Sequence, residues 1–143
     1  NVKGRMTHWD TFKHDDDFKK LISEFFNKCS YYNIFHGSKS KDGLFHFLIN
    51  NAWGNILKKG EKVNRHHHLG VDYASVLYFD NHSPLYTDAG KIKTERGLIV
   101  TIPSFLFHWV EPLDKDIERY TIAWNWSFTK KWDLPGIKEE ILK

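Results

Sequence analysis

Apolar residues recur three and four positions apart along Phe18, Leu21, Ile22, Phe25, Phe26 and Cys29. That spacing predicts one amphipathic helix lying on another layer of structure. Asp15, Asp16 and Asp17 stand ahead of it, where acidic side chains suit the positive end of a helix. After Ser30 the pattern changes to short runs rich in aromatic and β-branched residues. The predicted strands are Leu44–Asn50, Ala52–Lys58, Arg65–His68, Tyr73–Phe79, Leu85–Thr87, Leu98–Ile102, Phe107–Val110 and Arg119–Trp126. Turn signals such as Lys59-Gly60, Asp80-Asn81 and Ala89-Gly90 separate them. About eight short strands in so compact a chain predict an all-β jelly roll or closed barrel, covered by the N-terminal helix. Pro135 is placed to open a short C-terminal helix, Gly136 to Leu142.

Composition narrows the class. A chain of 143 residues suits one domain spanning residues 1–143. Six Trp and eleven Phe supply enough apolar area for a core, which excludes a disordered chain. No apolar run approaches the ~18 residues of a membrane span, and no signal-peptide pattern opens the sequence. The sequence starts at Asn1 instead of Met, as a trimmed chain or a fragment would. The net charge of +3 is spread thinly, with no dense basic run, so nucleic acid is not an expected partner. Such a balance fits weak attraction for anionic small molecules. A second copy of the chain is a candidate partner. Cys29 is the only cysteine, so no intrachain disulfide can form, which fits a reducing cytoplasm. Its expected role is that of a small buried apolar residue.

Nine histidines is a high count for this length. His8, His14, His36, His46 and His82 are scattered and read as surface or packing residues. His66-His67-His68 differs. On a strand, side chains alternate, so His66 and His68 share one face and His67 takes the other. Gly97 then opens an apolar strand that passes through a Pro103-Ser104 turn and ends on His108, delivering a third imidazole toward the first two. Three imidazoles would leave about three positions open on an octahedral ion, as a redox or Lewis-acid site needs. The ligand type does not choose among Fe, Zn, Ni and Cu. Asp72 is the nearest acid that could replace one of them, although a turn residue ahead of a strand is its simpler role.

Arg119 begins Arg-Tyr-Thr-Ile-Ala-Trp-Asn-Trp, eleven positions after His108. Alternation places Arg119, Thr121, Ala123 and Asn125 on one face, with Tyr120, Ile122, Trp124 and Trp126 on the other. The second face packs. The first puts a guanidinium beside small side chains, which suits an anion pocket because Arg bonds a carboxylate bidentately. The competing reading is a surface salt bridge to Glu118 or Asp116.

These residues resemble a known group. Asn51-Ala52-Trp53-Gly54-Asn55, His66-His67-His68 and Ala74-Ser75-Val76-Leu77-Tyr78 are similar to the 2-oxoglutarate–Fe(II) oxygenase family of marine bacteria and phages. That family reads roughly W-x-N, H-x-H and S-G-V-Y-Y in its first half. Its second half reads roughly P-S-W-L-x-H-x-V-x-P and R-x-S-x-x-x-N, which Pro103 to Pro112 and Arg119 to Asn125 resemble. The likeness covers Asn51 to Phe128. Ser75 stands where the family has Gly, Leu77 where it has an aromatic and Phe105 where it has Trp. The spacing also resembles the cupin pattern G-x5-H-x-H-x3-E, with Asp72 in the Glu place, but the second cupin motif fails at Phe105 and Pro112.

Both likenesses imply a double-stranded β-helix. The oxygenase likeness implies Fe(II) on His66, His68 and His108 and 2-oxoglutarate anchored by Arg119, with hydrogen bonds from Asn55 and Tyr78. It implies a dioxygenase of hydroxylase type acting on a small molecule or a peptide side chain. Two other classes remain open: a cupin-like metalloenzyme that needs no 2-oxoglutarate, and a non-enzymatic barrel that binds a sugar or other small ligand. Six Trp could stack on a sugar, although Trp124 and Trp126 share a face suited to a core.

Overall fold

A computed structural model describes residues 1–31 and 45–130. The expected C-terminal helix at Gly136–Leu142, His36, and the side chains of Cys29 and His46 lie outside what is described.

The helix forms where the periodicity places it. α1 spans Asp16–Tyr31. Its cap is Asp15, whose carboxylate accepts the Phe18 backbone N–H at 2.8 Å. Asp16 and Asp17 occupy the first turn, next to the positive end of the helix dipole. Phe18 and Ile22 are buried, while Leu21 at the edge of the stripe stays 40% exposed.

Among the described residues, ten strands follow a two-sheet plan. One sheet runs in the order β1 (Val2–Lys3), β4 (Lys62–His66), β9 (His108–Val110), β6 (Leu85–Thr87), β7 (Gly90–Ile92). The other runs β2 (Arg5–Met6), β3 (Phe45–Leu57), β10 (Arg119–Lys130), β5 (Tyr73–Tyr78), β8 (Ile99–Pro103). Every pairing between these strands is antiparallel. The arrangement is the expected double-stranded β-helix with one covering helix. For clarity, the first is called the histidine sheet and the second the long sheet.

Differences from the expected strands have local causes. The two runs around Asn50 and Asn51 form one strand, β3, because a bulge absorbs an extra residue: Asn125 faces Asn51 and Trp126 faces Ile49. β1 and β2 are two residues long, too short for any periodicity to register, and β7 opens on Gly90, which reads as part of a turn. Gly4 sits between β1 and β2, where the chain passes from one sheet to the other. A Cβ there would fall 2.6 Å from Leu57 Cδ2 and 2.7 Å from the Ile56 carbonyl oxygen, so only glycine fits.

Two apolar clusters result. Phe18 and Ile22 pack with Ala52, Trp124 and Trp126 between α1 and the long sheet. The Phe18 ring meets Trp124 edge-on, with centroids 5.4 Å apart. Between the sheets lie Leu57, Ala74, Tyr78, Leu85, Val100, Ile102, Val110 and Leu113. Ser75 explains one departure from the oxygenase motif, because its hydroxyl accepts the buried Trp126 indole N–H at 2.8 Å, which glycine could not do. No helix among the described residues is long and apolar enough to cross a membrane.

Candidate metal centre

Antiparallel pairing places His66 at the end of β4 directly opposite His108 at the start of β9. Their rings are neighbours, with centroids 4.3 Å apart. His68 arrives by another route. β4 ends at His66, so strand alternation does not position His68. Instead its backbone N–H donates to the Ser104 carbonyl at 2.9 Å, and the Ser104 N–H donates to the Asp72 carbonyl at 2.9 Å. The Pro103-Ser104 turn therefore holds His68 in place. Its ring stacks on His108 at 5.1 Å, with 10° between planes. His67 turns away as alternation predicts and meets the Phe107 ring edge-on at 4.4 Å.

Backbone carbonyls fix the tautomers. His66 Nδ1 lies 2.7 Å from the Asn64 carbonyl oxygen, and His108 Nδ1 lies 3.0 Å from that of Leu106. A carbonyl can only accept, so each Nδ1 carries the proton and each Nε2 keeps its lone pair. The His68 and His108 Nε2 atoms are 3.3 Å apart. Two nitrogens bound to one ion at ~2.1 Å stand roughly 3.0–3.4 Å apart for angles between square and tetrahedral. One potential ligand atom from each of the three histidines lies within 4.8 Å of the others. Burial, then the neighbouring His108, pushes His66 and His68 down to about 4, and burial lowers His108 as well. All three are neutral and able to bind a cation at neutral pH.

The remaining expected residues sit on the facing sheet. Thr121 of β10 is flanked by Asn55 of β3 and Tyr78 of β5 in one cross-strand row. Arg119 is two residues along the same face, opposite Leu57. The cavity between the sheets is about 610 Å³, counting its open mouth, and these four residues line it with the three histidines. Arg119 is only 3% exposed. Its guanidinium carbon is 5.2 Å from the centre of the Tyr78 ring. Burial lowers the Arg119 pKa, but a guanidinium keeps its proton at neutral pH, and burial raises the Tyr78 hydroxyl to about 12, so Tyr78 stays protonated as well.

The surface salt-bridge reading of Arg119 fails. Glu118 pairs with Lys58 at 2.9 Å and Arg5 at 3.4 Å instead. Arg119 has no ion-pair partner among the described residues. Its Nε, the Tyr78 hydroxyl and the Asn55 and Asn125 Oδ1 atoms are all buried without a hydrogen bond of ordinary geometry. Clustered orphan groups of this kind in one cavity are suited to a polar ligand. Asp72 is exposed and stands outside the histidine group, in the bend ahead of β5, where its backbone pairs with Trp126 and Ser104. His8, His14 and His82 are exposed, as expected of scattered surface histidines. Trp124 and Trp126 are fully buried.

One residue of the site escaped sequence reasoning as a cavity group. Trp53 lines the cavity, with its ring centroid 6.4 Å from that of His68. It stands two positions before Asn55, so the alternation that places Asn55 would have found it.

The chain matches no protein-family model and no curated protein. It is similar in structure to an oxidoreductase of the 2OG-Fe(II) oxygenase family from Burkholderia pseudomallei, at a TM-score of 0.58 and 10% identity. That alignment covers 77% of this chain and 56% of the other, so this chain spans little more than half its length. A Pseudomonas putida prolyl-4-hydroxylase aligns at a TM-score of 0.57 and 16% identity, over 88% of this chain and 73% of its own. At these identities the likeness establishes the fold.

Proposed function

We propose that this chain is an Fe(II)- and 2-oxoglutarate-dependent oxygenase of hydroxylase type. One observation carries the reading: three metal-competent imidazoles and a buried guanidinium with no ion-pair partner among the described residues face one cavity from opposite sheets. The donor set fits a divalent transition ion, since neutral imidazole suits iron and three donors leave about three positions open. His66, His68 and His108 would hold the ion, with the Asn64 and Leu106 carbonyls fixing two of the rings. Bound there, Fe(II) would supply the oxidising chemistry, with dioxygen as oxidant and 2-oxoglutarate leaving as succinate and carbon dioxide. Arg119 would take the distal carboxylate of 2-oxoglutarate bidentately. Tyr78 would donate its O–H, and Asn55 would add a hydrogen bond from its amide. The apolar walls around Val100 and Ile102 would keep water from the reacting groups.

The test is the visible spectrum of metal-free protein under anaerobic conditions as Fe(II) and then 2-oxoglutarate are added. A weak charge-transfer band requiring protein, iron and 2-oxoglutarate together supports the reading, and its absence from an iron-loaded protein rejects it. A second reading, a cupin-like metalloenzyme without 2-oxoglutarate, is favoured by one observation: the histidine group contains no carboxylate. It requires iron binding with no affinity for 2-oxoglutarate.

A further inference from the structure

The charges in the cavity leave a remainder. The three ligand candidates are neutral imidazoles, and Arg119 carries one positive charge at the other end. No Asp or Glu among the described residues lines the cavity. On the oxygenase reading above, a divalent ion and Arg119 together bring three positive charges, and 2-oxoglutarate removes two. One positive charge remains among the groups that line the cavity, in a site walled largely by apolar side chains where an uncompensated charge is costly. Asp80, the carboxylate that Arg119 feels, lies outside that lining and accepts the His82 and Tyr120 backbone N–H groups. A site of two histidines and one carboxylate has no such remainder. Here His68 stands as the third donor, and the exposed Asp72 does not make up the difference.

We infer that the molecule acted on is itself a small organic anion, its negative charge seated beside His68 within reach of the Trp53 indole. Trp53 is 5% exposed and its Nε1 has no hydrogen-bond partner. An indole N–H can only donate, so it selects for an acceptor oxygen such as that of a carboxylate. Leu69, next to His68, is 83% exposed, and Phe105, next to Ser104, is 75% exposed. Two bare apolar side chains on the segments that hold His68 suit an anion with an apolar body.

Benzoate and benzamide are matched probes, alike in shape and different in charge. The experiment is calorimetric titration of each into the anaerobic complex of protein, Fe(II) and 2-oxoglutarate. Benzoate is expected to bind at least about tenfold more tightly than benzamide. His68→Asp should reduce that preference to within about twofold, whereas the neutral His68→Gln should keep it. Trp53→Phe should weaken benzoate by about tenfold and leave the Fe(II) titration unchanged. The wild-type comparison decides even if a variant fails to fold. Equal binding of the two probes, or binding of neither, overturns the inference.

The two preceding titrations keep the oxygenase reading separate. If Fe(II) binds and 2-oxoglutarate does not, that reading fails, and the same probes are titrated into the iron complex. The larger excess of positive charge there makes the benzoate preference steeper, and equality overturns the inference as well. If Fe(II) does not bind to the folded protein, both fall.

Discussion

The two sheets divide the site unequally. The histidine sheet is built from strands of two to five residues, with a register break between Val63 and His66. Its three imidazoles owe their positions to one cross-strand pair, a turn and a few backbone carbonyls. The long sheet contains strands of 13 and 12 residues, backed by Trp124, Trp126 and α1. It carries Arg119, Asn55 and Tyr78 on its inner face. On the proposed reading, the difference means that cation donors and anion anchor can be lost separately. Mutations in the histidine sheet should act on metal affinity, and mutations behind the long sheet should act on stability first.

The largest effect belongs to the donors. His108→Ala removes the imidazole that stands opposite His66 and stacks on His68. Fe(II) affinity should fall by more than about a hundredfold, beyond the usual cost of losing an outer partner of a ligand. Calorimetry on folded variant checks it, and unchanged affinity would remove His108 from the site. Across the cavity, Trp124→Ala should cost about 3–5 kcal/mol of folding free energy, measured by urea denaturation. Trp124 is fully buried against Phe18, so a small loss would mean that α1 does not cover this sheet as described.

The sequence was most legible where one strand ran straight. Alternation along Arg119 to Trp126 separates the cavity face from the packed face as the structure does, apart from Tyr120, which is 43% exposed beyond the edge of the helix cover. The histidine trio was legible for a partly different reason. Alternation over Arg65–His68 predicts that His66 and His68 share a face, yet the strand stops at His66 and a hydrogen bond to Ser104 places His68. No local pattern contains that bond, or the pairing of His66 with a residue more than forty positions away. The bulge at Asn50–Asn51 was illegible for a related cause, since two polar residues look like a break until a partner strand supplies the register.

Arg119→Ala sharpens the comparison between cation and anion ends. It should weaken 2-oxoglutarate binding by about 2–5 kcal/mol, because a buried charged partner is removed from a carboxylate. Fe(II) affinity measured without 2-oxoglutarate should change little, or rise slightly as a positive charge leaves the cavity. Equal loss of both in folded protein would mean that Arg119 shapes the cavity without anchoring the anion. A smaller effect is expected of Ser75→Ala, which strips the Trp126 indole N–H of its acceptor and should cost about 1–3 kcal/mol. Denaturant unfolding measures it, and metal affinity should not move.

The smallest effect is in the pH dependence of metal-free protein, and its sign separates the sheets again. His66 and His68 titrate at about 4 in the folded chain, chiefly because they are buried, against about 6.5 when unfolded. Above pH 6.5 neither state binds the proton, so the histidines add no pH dependence there. As pH falls from about 6.5 toward about 4, the unfolded chain takes up protons that the folded chain resists, and stability declines. Below about 4 both states are protonated and this contribution levels off. Because both rings remain partly open to solvent, screening keeps the loss modest. Thermal unfolding of wild type and His68→Gln at several pH values isolates it from the carboxylates. The variant should lose less stability across that window, while Arg119→Ala, altered only on the long sheet, should follow the wild-type slope more closely. An ion held by the three histidines would add its own binding energy and would keep the proton off them in the folded state even below about pH 4. Metal-loaded protein should therefore be more stable throughout and decline in parallel with the metal-free protein between about pH 6.5 and about pH 4. It should go on declining below about pH 4, where the metal-free histidine contribution levels off, and an offset that stays constant there would detach the histidines from the metal.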